Sequence, residues 1–157
     1  MKALSGYAEY FWLMGKNWKD VENRNWSLTR YLKREDLPVR VYLHASKTRA
    51  SKLDIAFIRS RLNPIRRQEF DAVDWERYRG TIIGEVTISN EVTMEDWGMQ
   101  ATHSRWFFGT YGFVVEGGEL YDTQCLARGS SAFSRYPWRG YPARTLPEAP
   151  GQQMERV

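Results

Sequence analysis

The residues with the greatest capacity for chemistry lie in one short run, Lys19-Asp20-Val21-Glu22-Asn23-Arg24-Asn25-Trp26. If 20–24 is extended, its side chains alternate, so Glu22 and Arg24 share one face and Val21 and Asn23 the other. A carboxylate beside a guanidinium either closes as an ion pair or presents acceptor and donor together to the polar edge of a ligand. Trp26 keeps the parity of Glu22 and Arg24 and offers them a flat apolar cap. An ordinary surface ion pair, of little energetic weight, is the competing reading. A second polar group, His44-Ala45-Ser46-Lys47, sits where a β-rich run ends, and strand ends with their loops build sites. His44 reads either as a hydrogen-bonded, semi-buried histidine or as an acid–base group.

The elements that must hold these residues follow from pattern. Lys2–Leu4 reads as a short strand. Tyr7–Met14 reads as a helix, with Ser5 as N-cap and Gly15 as the stop. Asp20–Arg24 is extended, and Val39–His44 alternates as a strand. Ser51 to Leu62 is an amphipathic helix capped by Ser51, burying Leu53, Phe57, Ile58 and Leu62, and Pro64 ends it. Phe70–Tyr78 is a short helical segment. Thr81–Ser89 is the clearest strand, bounded by Gly80 and Asn90. Tyr111–Glu116 and Leu120–Leu126 read as two strands of a hairpin turned at Gly117-Gly118. The sum is a single α+β domain, a mostly antiparallel mixed sheet curled toward a barrel with helices packed on it. Residues 1–135 form the domain. Residues 136–157, with Pro137, Pro142, Pro147 and Pro150, form a Pro/Gly-rich tail.

Composition narrows the function. The chain has 157 residues, 42% of them hydrophobic, enough for one buried core. No apolar run reaches the ~20 residues of a membrane span, and the single cysteine, Cys125, cannot form an internal disulfide. A cytoplasmic protein is the expectation. The charge is asymmetric: residues 1–80 carry 17 basic and 10 acidic side chains, residues 81–157 carry 6 and 9. Arg40, Lys47, Arg49, Lys52, Arg59, Arg61, Arg66 and Arg67 face a single acid, Asp54, within 40–67. Such a zone favours a polyanion. Aromatic residues make up 15%, mostly expected in the core, with some left to stack on bases. Two histidines and one cysteine provide no zinc spacing, and no Walker or dinucleotide glycine pattern occurs. A hard cation held by Glu22 and Glu85 stays open.

Several pieces fall in one order: Lys2–Ser5, Gly15, Lys19 to Trp26, His44 to Lys47, Gly80 to Val86, then Trp106 with Tyr111-Gly112. In that order the chain resembles the ASCH family of the PUA-like superfamily, over residues 1–116. The resemblance implies a PUA-like small mixed β-barrel with flanking α-helices and a cleft lined by the K-x-V-E-x-R segment. It implies RNA binding and, in some members, metal-dependent cleavage of single-stranded RNA or hydrolysis of the acetyl amide on modified cytidine by a lysine, a threonine and a glutamate. Lys19 matches that lysine, but Glu22 stands at the threonine position.

Three functions follow as expectations. The first is a module binding single-stranded RNA or a nucleotide. In it Lys19, Arg24, Lys47 and the 40–67 zone contact phosphate, Trp26, Trp106 or Tyr111 stack a base, and Glu22 and Asn23 read its edge, with His44 and Ser46 at the rim. The second is a hydrolase on RNA or a modified nucleoside, with Lys19, Glu22 and His44 as catalytic candidates. Mg²⁺ or Mn²⁺ would be the cofactor of its ribonuclease version. The third is an interaction domain whose cleft reads a small metabolite or protein.

Overall fold

The computed structural model describes residues 1–99, 104–126 and 133–135. Strand β1 (Lys2–Gly6) leads into helix α1 (Ala8–Gly15) and strand β2 (Val21–Arg24). Two 3-10 turns, Leu28–Arg30 and Arg34–Asp36, precede β3 (Val39–Ala45). Helices α2 (Lys52–Arg61) and α3 (Pro64–Asp71) and a 3-10 turn (Trp75–Arg77) follow, then β4 (Thr81–Thr93), α4 (Met94–Met99), β5 (Tyr111–Leu126) and β6 (Phe133–Arg135). The strands form one sheet in the order β2-β5-β4-β3-β1-β6. Only β1 and β3 run parallel; every other neighbouring pair is antiparallel. The sheet curls into a half-barrel, as expected of the α+β reading. The tail from residue 136 lies outside the described residues.

The curl originates in β4 and β5. Their ladder shifts register between Ile82 and Gly84, between Glu85 and Thr87, and between Ile88 and Asn90. Each extra residue bends its strand and tightens the twist. This overturns the expected hairpin. Gly117-Gly118 is no turn: β5 runs unbroken through it, and the two glycines form a bulge at a register shift, with Gly117 at φ 59°. Gly118 serves a different need. A Cβ there would lie 1.9 Å from the Met14 carbonyl oxygen, so only glycine lets the end of α1 reach the strand.

Other expectations also change at the helices. Ser5 does not cap α1; it lies in β1, with its Oγ 2.7 Å from His44 Nδ1, and Tyr7 holds the cap position without a side-chain bond. α1 does end at Gly15, but not through a left-handed glycine. The reversal comes at Asn17, at φ 58°, the conformation asparagine tolerates better than most residues. The Asn17 amide then clasps Gly118, donating to its carbonyl at 2.8 Å and accepting from its N–H at 2.7 Å. In α2, Leu53 is 83% exposed. The helix meets the core only through its later part, at Ile58 and Leu62, with Ile55 and Phe57 half-buried. Its capping box at Ser51 and Asp54 matches the sequence pattern. Pro64 ends α2 but also opens α3, under an Asn63 cap, so the helical segment starts before Phe70.

The main core joins α1 (Phe11, Leu13, Met14) to the sheet residues Leu43, Ile83, Val86 and Phe113. Trp12 packs edge-on against Trp18 at 5.2 Å and Trp75 at 5.7 Å, which ties α1 to the 3-10 turn that precedes β4. Asn17→Ala removes both clasp bonds and places a residue with a full left-handed penalty at φ 58°. The expected loss is about 2 kcal/mol in urea unfolding, with Asn17→Gly losing less because glycine pays no such penalty.

Candidate functional site

A cavity of about 460 Å³ opens where β1, the start of α1, β2 and the loop after β3 converge. β2 hydrogen-bonds along its length to β5, with Glu22 opposite Phe113 and Arg24 opposite Tyr111. This pairing fixes the alternation the sequence predicts. Glu22 and Arg24 do share a face, at 3.0 Å between Oε1 and a terminal guanidinium nitrogen.

Lys19 completes the group. Its Nζ donates to Glu22 Oε2 and to the Val21 carbonyl, both at 2.6 Å, and sits 5.3 Å from the Tyr10 ring centroid. The carboxylate is therefore held between two cations. The Lys19 side chain is only 1% exposed, against 10% for Glu22 and 14% for Arg24, so Glu22 and Arg24 are the more accessible pair and Lys19 supports them from behind. Burial pulls the Lys19 ammonium below the ordinary lysine value, against the opposing pull of Glu22. Burial alone would raise Glu22. The charges of Lys19 and Arg24, with their hydrogen bonds, outweigh it and hold the carboxyl below the usual glutamate range.

The other wall is aromatic and polar. Tyr7 and Tyr10 lie with ring centroids 6.4 Å apart, and the Tyr10 hydroxyl donates to Asp54 at 2.9 Å. Burial, then Asp54, lifts the Tyr10 hydroxyl well above the ordinary tyrosine value, so it stays a donor. Asp54 also accepts from Ser51, and these bonds hold it below the usual range although burial pushes it up. One carboxylate thus caps α2 and ties α2 to α1. Phe108, 48% exposed, closes the rim. Asn23 places it: its amide donates to the Trp106 carbonyl at 2.7 Å and accepts from the Phe108 N–H at 2.8 Å.

Of the residues picked from sequence, Lys19, Glu22, Asn23, Arg24 and Ser46 line this cavity. His44 stands behind it, 5% exposed and bonded to Ser5. Trp26 lies beyond Arg24, 5.7 Å from its guanidinium, and packs edge-on against Phe113 and Tyr31. Trp106 is buried under Phe57, Tyr111 is in the β5 ladder, and Lys47 is exposed beside Gly80. None of these four is among the lining residues. Tyr7, Tyr10, Thr48, Asp54 and Phe108 line the cavity and were not picked. The spacing of Tyr7 and Tyr10 just before the Lys19 run was the available signal for two of them. Nothing local marks Phe108.

Glu22 and Glu85, left open as joint holders of a hard cation, do not share a site. Glu85 is buried on the reverse face of the sheet, 2.7 Å from Arg40 Nε and hydrogen-bonded by Tyr121. Burial, then Glu85, pushes the neighbouring Tyr42 hydroxyl up to about 12. Arg40 thereby leaves the basic zone for a structural ion pair. The cavity's own acids do not suit Mg²⁺ or Mn²⁺ either, because Lys19 and Arg24 already neutralise Glu22 and would repel a further cation, and Asp54 is held by Tyr10 and Ser51. Among the described residues no cluster of three or more His, Cys, Asp or Glu could hold a metal ion. No described helix is long and apolar enough to cross a membrane.

No family model matches the sequence, and no curated protein matches it significantly. Among solved structures the chain is similar to ASCH from Zymomonas mobilis, at 16% identity and a TM-score of 0.39, over 76% of this chain and 68% of that one.

Proposed function

We propose that the chain is a binding module that takes a nucleobase of single-stranded RNA, or of a nucleotide, into this cavity. The observation that carries the reading is the charge balance of the lining: Lys19 and Arg24 against Glu22 and Asp54, beside the rings of Tyr7, Tyr10 and Phe108. A neutral, aromatic-walled site with fixed donors and acceptors suits a flat, uncharged heterocycle with a polar edge. A bare phosphate would meet two cations already satisfied by Glu22. Glu22 would accept from a base amino or imino group and Arg24 would donate to a carbonyl. The resemblance to the ASCH family points to the same ligand class.

The same geometry favours recognition over turnover. Two cations that depress Glu22 make it a weak general base, since efficient bases lie near the working pH. Lys19, at 1% exposure, is shielded from a substrate carbonyl.

The test is incubation with single-stranded RNA, with and without Mg²⁺ or Mn²⁺, read on one gel for mobility shift and cleavage. The expected result is a shift without product. Phe108→Ala weakens it about tenfold, the typical worth of one base–aromatic stack. Product that accumulates in wild type and vanishes in Glu22→Gln would make the protein a hydrolase instead.

A further inference from the structure

Five of the eleven arginines in residues 1–80 are satisfied by acids, Arg24 with Glu22 among them. Arg40 pairs with Glu85, Arg49 with Glu76, Arg59 with Asp71 and Arg79 with Glu9. Arg61 and Arg105 are among the arginines that meet no acid, and they alone brace each other. Arg61, at the end of α2, donates from Nε to the Arg105 carbonyl at 2.9 Å, and Arg105 donates back to the Arg61 carbonyl at 3.2 Å. Each guanidinium is thus held against the other residue's backbone. Neither forms an ion pair with a carboxylate among the described residues. Two braced guanidinium groups without a carboxylate partner keep donors and charge for an anion.

The pair is connected to the cavity. The Arg61 guanidinium lies 4.7 Å from the Phe57 ring, and Phe57 packs against the rim residue Phe108 at 5.1 Å. A path of ring, ring and guanidinium therefore leads outward from the cavity mouth. Such alternation of stacking faces and cations suits a single strand, whose bases and phosphodiesters alternate.

We propose that Arg61 and Arg105 form a phosphodiester site for the nucleotide flanking the one whose base enters the cavity. The ligand is then a strand rather than a free nucleotide. The cavity supplies recognition insensitive to salt, and the arginine pair supplies the salt-dependent part of the affinity. This inference rests on the reading of the cavity as a nucleobase site.

The experiment compares a mononucleoside with a single-stranded RNA of about ten nucleotides, and its DNA counterpart, across a salt series. The variants are Arg61→Lys, Arg105→Glu and the double alanine. In wild type the oligomer binds more tightly than the nucleoside. Arg105→Glu, on an exposed side chain that leaves the fold intact, weakens the oligomer at least tenfold and leaves the nucleoside unchanged. The double alanine lowers the slope of log affinity against log salt by about 0.7 for each arginine lost. Arg61→Lys keeps the slope but loses affinity, because an ammonium cannot fork onto two phosphate oxygens. A response of the DNA strand alone would still support a phosphodiester site. Unchanged oligomer affinity and slope in both Arg105→Glu and the double alanine would overturn it. Failure of the cavity reading looks different: the nucleoside would not bind wild type at all, while the oligomer would still respond to Arg105→Glu.

Discussion

Glu22→Ala is expected to destabilise the fold by about 3–5 kcal/mol, the usual cost of removing one partner from a buried ion pair. Glu22 is the counterion of both Lys19 and Arg24, and Lys19 is 1% exposed with no other carboxylate paired to it among the described residues. The variant strands a buried ammonium. Chemical denaturation reads the loss, and adding Lys19→Met should restore part of it, since the buried ammonium is then gone while Arg24 still lacks its counterion. The wild-type pH profile has a fixed sign. The folded Glu22 value lies below the unfolded one, about 4.3, so its stabilisation is present above that pH and is lost as pH falls through the folded value. Glu22→Gln should be less stable at pH 7 and flatter in acid. A profile as steep as wild type would mean that Glu22 does not carry the linkage.

Gly118→Ala is expected to cost about 3 kcal/mol, the upper end for forcing one methyl into packed structure. Its Cβ would meet the Met14 carbonyl oxygen at 1.9 Å, the Met14 carbonyl carbon at 2.9 Å and Gly15 Cα at 3.1 Å. All three are backbone atoms, so no side chain can turn aside. Relief requires the end of α1 to lift from β5, which also breaks the Asn17 clasp two residues before Lys19. The variant should therefore lose stability and RNA affinity together. Gly109→Ala is the control, because nothing lies within 4 Å of a Cβ there, although its φ of 94° carries its own backbone penalty.

These two sites show what the sequence made legible. The alternation in 20–24 placed Glu22 and Arg24 on one face because strand geometry is local, and pairing with β5 left that geometry intact. The Ser51 cap was legible for the same reason. The Gly117-Gly118 pair was misread because hairpin turns and bulges both need a residue with positive φ, and only the approach of Met14, about a hundred positions away, separates them. Leu53 was misplaced because α2 touches the core obliquely, so its first turn is exposed despite an apolar residue. The cavity's aromatic rim was invisible for a third reason. Phe108 is positioned by the Asn23 amide across 85 residues, and no spacing rule reports such a contact. Trp26, Trp106 and Tyr111, chosen as flat surfaces, were taken instead by the core or the sheet.

A cavity that takes an uncharged nucleobase rather than a phosphate should bind free nucleosides. Calorimetric titration of wild type with the four nucleosides, at two salt concentrations and with inorganic phosphate as competitor, tests it most directly. At least one nucleoside is expected to bind with little dependence on salt, to resist displacement by phosphate, and to bind more weakly in Phe108→Ala. Binding of phosphate in preference to every nucleoside, lost as salt rises, would contradict it.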